Sequence, residues 1–288
     1  MKPSELMSYL WYPLSFSIAI ALFATLLAQN MPLPIVLYVP IALNGILVMG
    51  IEFAFPERKE WRPKWSDIQT DAAFMAVVQI ILPKMLMVLV TLAIADQLHA
   101  EAGTASIWPH TWPLPAQALL MILSVDLMRY WLHRACHHFT VLWRLHEVHH
   151  SPEILYTINT GRFHPLEKVL HFSLDTVPFL LLGVAPEVFA AYFLLYSVNG
   201  FFQHSNARIR YGWLNYFVGS AETHRWHHAQ DPQTASCNFG SSTVIWDIVF
   251  GTWYLPKNNQ VEKVGILNDH YPKDFWSQLM APFKQHRG

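Results

Sequence analysis

Charged residues are scarce in this sequence of 288 residues. Only 14% are Asp, Glu, Lys or Arg and 53% are hydrophobic, whereas a soluble domain usually carries about a quarter charged residues. The apolar residues also come in long runs. The composition therefore excludes an ordinary soluble domain and favours a protein that lies in a membrane.

Other features are missing as well. The 19 Lys and Arg residues are balanced by 20 Asp and Glu, so no excess of positive charge indicates a nucleic acid partner. The two cysteines, Cys136 and Cys237, form no CxxC pair, and one disulfide would not hold together a chain of this size. No glycine-rich nucleotide loop and no heptad repeat occurs. Nucleic acid binding and a disulfide scaffold are therefore not expected.

The apolar runs predict an all-α, multi-pass membrane helical bundle. Four of them have about the 20 residues that a helix needs to cross a bilayer: 8–28, 33–55, 72–98 and 114–132. Two more, 169–183 and 186–203, predict a helical hairpin whose first arm is short enough to be only partly inserted. We therefore expect four to six spans. The segment 237–256 contains Asp247 and is expected to pack on the bundle without crossing.

The basic residues predict which way the helices run, because Lys and Arg collect in the cytoplasmic loops of membrane proteins. Most of them lie in 56–71, in 133–168 and after residue 203, whereas the connections 29–32, 99–113 and 184–185 contain none. Six crossings with both termini in the cytoplasm satisfy this distribution. The region that is rich in histidine would then lie on the cytoplasmic side.

Histidine is unusually concentrated in one part of the chain. Twelve of the 16 histidines lie between residues 133 and 228. The pattern HxxHH occurs twice, as HEVHH at 146–150 and HRWHH at 224–228, and HRACH precedes them at 133–137. On a helix, residues i, i+3 and i+4 lie on one face, so each group can direct its rings to a common point. Converging neutral imidazoles predict a metal site.

Eight histidines are the main candidate ligands, since eight nitrogens can supply two metals with four ligands each: His133, His137, His146, His149, His150, His224, His227 and His228. His204 is a further candidate at the end of the last apolar run. His164 is either a ligand or a residue that supports one. Four other residues are expected to support the ligands through hydrogen bonds: Asp126, His138, Glu167 and Glu222. For Asp126, an ordinary contact between helices is the alternative.

The order and spacing of these motifs resemble the fatty acid hydroxylase superfamily, also called the sterol desaturase family. The resemblance covers about residues 120–255 and rests on six runs: DLMRYWLHRACHH, WRLHEVHHS, RFHPLE, QHSN, ETHRWHH and WDIVFGTWY. It implies a diiron centre of two Fe ions, activation of O2, and hydroxylation or desaturation of a lipid C–H bond. Imidazole suits several transition metals, so iron is implied by the resemblance alone.

The resemblance also implies a partner. Each turnover needs two electrons, and no flavin, nicotinamide or haem site is recognisable. A separate donor is therefore expected, a ferredoxin or a b-type cytochrome with its reductase. The expected organisation is an N-terminal transmembrane region at 1–113, a catalytic domain at 114–256 and a cytoplasmic tail at 257–288. A bacterial inner membrane is favoured, with the endoplasmic reticulum as the alternative.

The motifs are compatible with several classes of lipid substrate. HHS after the second motif resembles the branch of the superfamily that cleaves ether lipids, whereas FHPLE resembles the branch that modifies sterols. Fatty acyl, sterol and ether lipids are all candidates, and hydroxylation is favoured over desaturation. A histidine-rich membrane metal transporter is the alternative function. It would place its ligands near the middle of the bilayer on broken helices, whereas these lie at the predicted cytoplasmic end.

Overall fold

The computed structural model describes residues 3–100, 107–257 and 259–284, so part of the predicted connection 99–113 lies outside the described residues. The long helices are α1 Pro3–Ala28, α2 Leu33–Ala54, α3 Trp65–Phe74, α4 Leu82–Ala100, α5 Leu114–His138, α6 Thr140–His150, α7 Pro165–Leu181 and α8 Pro186–His204. Four short ones follow: α9 Ala221–His227, α10 Pro232–Ala235, α11 Ile245–Val249 and α12 Phe275–Met280. The described ranges contain isolated β-bridges but no strand. The predicted all-α class is confirmed.

Three helical segments are long and apolar enough to cross a membrane: Glu5–Ala28, Leu33–Ala54 and Trp65–Leu92. In the last of these, a π-helix at Met75–Ile81 joins α3 to α4. The predicted count of four to six spans is not reached within the described part of the chain. Helix α5 buries Gln117, Asp126 and Arg129 inside the protein, and α7 has only 17 residues. Because the polar residues of α5 are buried inside the protein, this helix lacks the composition of a candidate span. Helix α7 lacks the length.

Helix α8 lies at the centre of the bundle, where it packs against α1, α2 and α5. Val198 and Phe202 of α8 join Val48 of α2 in one buried apolar cluster. Tyr192, near the other end of α8, packs in a second cluster with Val125 of α5. The last residue of α8 is His204. The central helix therefore connects the apolar interior directly to the histidine-rich end.

A short turn, residues 182–185, joins α7 to α8, but the two helices do not pack closely along their length as the predicted hairpin would. The turn between them contains Gly183 at φ +69°, a backbone angle that glycine adopts without steric cost. Pro186 then opens α8 at a position where its missing N–H is not needed.

The segment 237–256 packs across the end of α5 and contains only the five-residue helix α11. The Asp247 carboxylate accepts hydrogen bonds from the backbone N–H groups of Phe239 and Gly240, at 2.7 and 2.8 Å. A Cβ atom at Gly240 would overlap the Thr243 carbonyl and the Asp247 side chain. Glycine is therefore required at this position, and the loop holds the Phe239 carbonyl over the end of α5.

Candidate metal centre

Nine histidines converge into two neighbouring groups. The first histidine group consists of His133, His137, His146, His150 and His227, and the second consists of His149, His204, His224 and His228. Within each group, the ligand nitrogens all lie within 4.8 Å of one another. The rings of His150 and His228 are stacked across the boundary, with centroids 4.4 Å apart. The eight histidines of the three sequence motifs thus lie together, and His204 lies with them.

Helical spacing accounts for much of this arrangement. His146 and His150 are one turn apart on α6 and face the first group, while His149 faces the second. In the HRWHH motif, His224 and His228 enter the second group and His227 enters the first. Each HxxHH motif therefore contributes to both groups, and this links them into one site.

Hydrogen bonds fix the tautomer of five of the nine rings. Three Nδ1–H groups donate to backbone carbonyls: His133 to Phe239 at 2.8 Å, His149 to Arg162 at 3.1 Å and His227 to Cys237 at 2.7 Å. Two donate to side chains: His146 to Glu167 at 2.6 Å and His204 to the Asn159 amide oxygen at 2.9 Å. A neutral imidazole with its proton on Nδ1 has a free lone pair on Nε2. All five rings thus offer Nε2 as a ligand atom.

The contact between His133 and His146 tests whether a metal fits. Their Nε2 atoms are 3.0 Å apart, yet both rings carry their proton on Nδ1, so two lone pairs face each other. The Nε2 atoms of His137 and His227 in the same group are buried without a hydrogen-bond partner. The lone pairs of the facing nitrogens repel each other unless a cation lies between them. Two nitrogens bound at right angles, ~2.1 Å from an ion, would be about 3.0 Å apart, so the residues fit a transition metal.

Burial keeps the histidines in the form that a metal needs. It lowers the pKa of His133, His146 and His204 to about 3 each. The pKa values of the other six rings are also lowered by burial, and next by the neighbouring histidines. All nine are therefore neutral near pH 7 and able to donate a lone pair.

Glu167 lies against the first group. Its carboxylate accepts hydrogen bonds from His146 and from His171, the latter at 3.3 Å. Cys136 is also close enough to share an ion with His146 and Glu167. Burial raises the pKa of the Cys136 thiol, so it stays protonated and is a weak ligand. The geometry supports Glu167 as the residue that orients His146.

His164 lies in neither group, unlike the expectation for a ligand. Its Nε2–H donates to the Leu279 carbonyl at 3.1 Å, and its Nδ1 accepts from the Leu166 N–H at 3.2 Å. The reason is its place at the start of α7, where the ring caps the helix. Helix α12 supplies the partner of its Nε2–H, the Leu279 carbonyl.

Three of the expected supporting residues are also placed elsewhere. Asp126 accepts from the backbone N–H groups of Ser242 and Thr243, at 3.0 and 2.6 Å, in place of a histidine. His138 is exposed against Phe139, because it lies one residue off the face of α5 that carries His133 and His137. Glu222 accepts from Tyr211 N–H and the Asn215 amide and holds the loop before α9.

No sequence pattern marks several of the residues that hold the site. The carbonyls of Arg162, Cys237 and Phe239 act through the backbone, and any residue type carries a carbonyl. Asn159 is a side-chain partner in a 3₁₀ turn, Thr157–Gly161, which no motif marks. The buried ion pair between Arg129 of α5 and Asp175 of α7 was also not predicted. Two opposite charges in neighbouring apolar runs were the one available signal for it.

Two cavities that share lining residues lie beside the bundle helices and the histidines. The apolar cavity has a volume of about 750 Å³ and is lined mainly by apolar side chains of α2, α4, α7 and α8. A much smaller junction cavity of about 50 Å³ is lined by His133, His146, His149, His204 and His224 among others. Thr160, Tyr196 and Gly200 line both cavities. A long apolar molecule in the larger cavity would therefore lie next to the histidine groups.

Comparison with known proteins agrees with this geometry. Residues 118–252 match the model of the family "Fatty acid hydroxylase". Ornithine lipid hydroxylase OlsE of Rhizobium tropici is 34% identical over 178 residues, which are 62% of this chain and 54% of that protein. Alkylglycerol monooxygenase of Danio rerio is 31% identical over 142 residues, or 49% of this chain and 31% of that protein. No solved structure matches the chain.

A third relative, very-long-chain aldehyde decarbonylase GL1-6 of Oryza sativa subsp. indica, is 28% identical over 157 residues, 50% of this chain and 24% of that protein. The chain thus spans about half of the length of the ornithine lipid hydroxylase, and less of the other two. The matched region contains most of α5, all of α6 to α11 and all nine grouped histidines. The similarity to the fatty acid hydroxylase family thus lies in the histidine-bearing region of this chain, residues 118–252.

Proposed function

We propose that this chain is a membrane-bound diiron hydroxylase that inserts oxygen from O2 into a C–H bond of a lipid. The observation that carries the proposal is the pair of histidine groups, with facing Nε2 lone pairs, at the end of the apolar cavity. Two curated relatives bear the names of an ornithine lipid hydroxylase and an alkylglycerol monooxygenase. Their names support oxygen insertion over desaturation.

The residues divide between two ions. His133, His137, His146, His150 and His227 would hold one iron, and His149, His204, His224 and His228 would hold the other. When bound, the two irons would supply the O2-dependent oxidation. The protein holds the five tautomer-fixed rings in place through Nδ1 and excludes water by burying them.

The apolar cavity would position the lipid. Its lining runs along α8 from Pro186 to Phe201, a rise of ~22 Å at 1.5 Å per residue. This length and the volume of about 750 Å³ suit a long apolar chain, and the volume is typical of a ligand site. Thr160, Tyr196 and Gly200 at the junction would place one carbon of the lipid beside the histidines.

The two electrons would come from a separate donor, a ferredoxin or a b-type cytochrome with its reductase. We place the histidine groups on the cytoplasmic side, because Lys and Arg collect in the connections at that end. A bacterial inner membrane is the proposed location. Closed, buried groups of four and five ligands suit a resident cofactor better than an ion in transit, so transport is the weaker alternative.

The test compares His149→Ala with His138→Ala. His149 lies in the second group, whereas His138 is exposed outside both. Cells that carry the intact protein or His138→Ala should contain a lipid that has gained one oxygen, and the purified proteins should contain iron. Cells with His149→Ala should lack that lipid. Active protein without iron, or the same product from His149→Ala, would contradict the proposal.

A further inference from the structure

Helix α7 presents two faces near the histidines. Glu167 and His171 are one turn apart, and both approach the first histidine group. Lys168, Phe172 and Asp175 follow the spacing i, i+4 and i+7 and line the apolar cavity instead. Lys168 is therefore next in sequence to the residue that bonds His146. It lies at the end of the cavity that adjoins the histidines.

The far end of the cavity is marked by the other end of α7. Leu180 also lines it, and twelve residues of helix separate Leu180 from Lys168, a rise of ~18 Å. Most of the lining between them is apolar, including Phe172, Phe189 and Phe193. One end of the cavity thus carries a positive charge next to the histidines, and the rest suits a hydrocarbon chain.

The charge of Lys168 is only partly balanced by its protein neighbours, the carboxylates of Asp175 and Glu167. Asp175 is paired with Arg129, whose Nε–H donates to it at 2.6 Å. Glu167 already accepts hydrogen bonds from His146 and His171. Among the residues that the structure describes, the Lys168 ammonium forms neither an ion pair nor a hydrogen bond.

Burial lowers the pKa of Lys168 to about 8, so the side chain is still mostly protonated at neutral pH. An ammonium group in an apolar cavity is costly unless a counter-charge pairs with it. An acidic group of a bound ligand would supply that counter-charge.

A second lysine lines the same cavity in a different setting. Lys84 of α4 is exposed, and its ammonium lies 5.5 Å from the centroid of the Tyr38 ring. This cation–π contact already satisfies part of its charge. Lys84 also lies in the apolar segment Trp65–Leu92, which is a candidate membrane span. It is a matched control for Lys168.

We propose that the Lys168 ammonium binds an acidic group, a carboxylate or a phosphate, of the lipid that occupies the apolar cavity. The inference rests on the proposed function, since it defines the class of that lipid. The acidic end lies at the histidine end of the cavity and the hydrocarbon chain extends along α8. The carbons close to the acidic group are then the ones presented to the histidine groups.

Binding of three probes to the full-length, metal-loaded protein in zwitterionic nanodiscs tests this inference. The probes are palmitate, methyl palmitate and hexadecyl phosphate, which share one hydrocarbon chain and differ at its end. The wild-type protein should bind at least one acidic probe about ten-fold or more tightly than the ester, as expected for a charge-assisted hydrogen bond. The acidic probe that binds more tightly identifies the group as a carboxylate or a phosphate.

Variants then assign the preference to one residue. Lys168→Met should abolish the preference for the acidic probe and leave the affinity for methyl palmitate unchanged. Lys168→Arg and Lys84→Met should keep the preference. If Lys168→Met also weakens binding of the ester, Lys168→Gln provides the same comparison with a polar side chain.

Equal wild-type affinity for the acidic probes and the ester would overturn the inference, and so would a preference that survives both neutral Lys168 variants. The proposed function fails by a different measurement. If the acidic lipid binds through Lys168 but iron-loaded protein with reductant adds no oxygen to any lipid, the hydroxylase proposal falls and the Lys168 site stands.

Discussion

At the scale of single residues, the hydrogen bond between Glu167 and His146 is the most informative contact. It fixes the proton of His146 on Nδ1 and increases the basicity of Nε2. Glu167→Ala should lower the affinity for iron by about 10–100-fold, the usual effect of losing such a partner. Glu167→Gln keeps an acceptor oxygen and should have a smaller effect. Iron titration of the metal-free variants measures both, and equal affinity in wild type and Glu167→Ala would contradict the assignment.

The histidines also predict how the metal-free protein responds to acid. Burial lowers the pKa of His133, His146 and His204 to about 3, while an unfolded histidine titrates near ~6.5. Between these values the unfolded chain binds more protons than the folded one. The free energy of unfolding should therefore fall as the pH decreases below about 6.5.

Thermal unfolding of metal-stripped protein between about pH 7 and about pH 5 checks this prediction. The melting temperature should decrease steadily towards the acidic end. His204→Asn should show a shallower decrease, because it removes one titrating ring, and His138→Ala should match the wild type because His138 is exposed. A melting temperature that is constant over this range would show that the buried rings do not control stability.

At the scale of structural elements, the loop around Gly240 positions the Phe239 carbonyl for His133. Because a Cβ atom there would overlap backbone and Asp247, Gly240→Ala should destabilise the protein by about 1–3 kcal/mol and reduce iron retention. Gly50→Ala is the control, since its Cβ would meet no atom within 4 Å. Thermal unfolding and iron content measure both variants. Unchanged iron content in Gly240→Ala would show that the loop is not needed for the site.

The elements also show what the sequence could predict. The all-α class, the short turn between α7 and α8, and the grouping of rings along α5, α6 and α9 follow from apolar runs and i, i+3, i+4 spacing, which are local properties. The partners of His164 and Asp126 were not predictable in this way. Both residues bond to segments more than 100 positions away, at Leu279 and at Ser242 and Thr243. Helical spacing shows which way a side chain points, but a distant loop decides what it meets.

The described residues contain three candidate spans where the sequence predicts four to six, and the difference has a related reason. An apolar run in the sequence looks the same whether the helix faces lipid or packs against other parts of the protein. Helix α5 satisfies the length of a span, yet its Asp126 and Arg129 are buried against the 242–243 loop and Asp175. The three candidate spans expose more of their surface, and Phe53 and Leu92 are examples of exposed apolar residues on them. Burial inside the protein, which the sequence does not contain explicitly, separates the two kinds of helix.

At the scale of the whole molecule, function depends on the connection between the two cavities. Gly200 lines both, and a Cβ atom there would make only an ordinary contact with Thr160, at 3.6 Å. Gly200→Ala should therefore keep activity, whereas Gly200→Leu should fill the junction. We expect Gly200→Leu to retain iron and lose at least about ten-fold in lipid oxidation. Mass spectrometry of the lipid product with parallel iron analysis tests this, and full activity of Gly200→Leu would place the substrate route elsewhere.

Three of the five acceptors that fix the histidine tautomers are main-chain oxygens, at Arg162, Cys237 and Phe239. Substituting one of these residues changes its side chain and leaves that oxygen in place. A point substitution therefore leaves these three hydrogen-bond acceptors in the chain, whereas a change of loop length would move them. The side chains of Arg162 and Phe239 have contacts of their own, with Asp71 and with the His133 ring. The two carbonyls at 237 and 239 are sensitive in a different way, because a single inserted or deleted residue between 237 and 240 would shift both acceptors together.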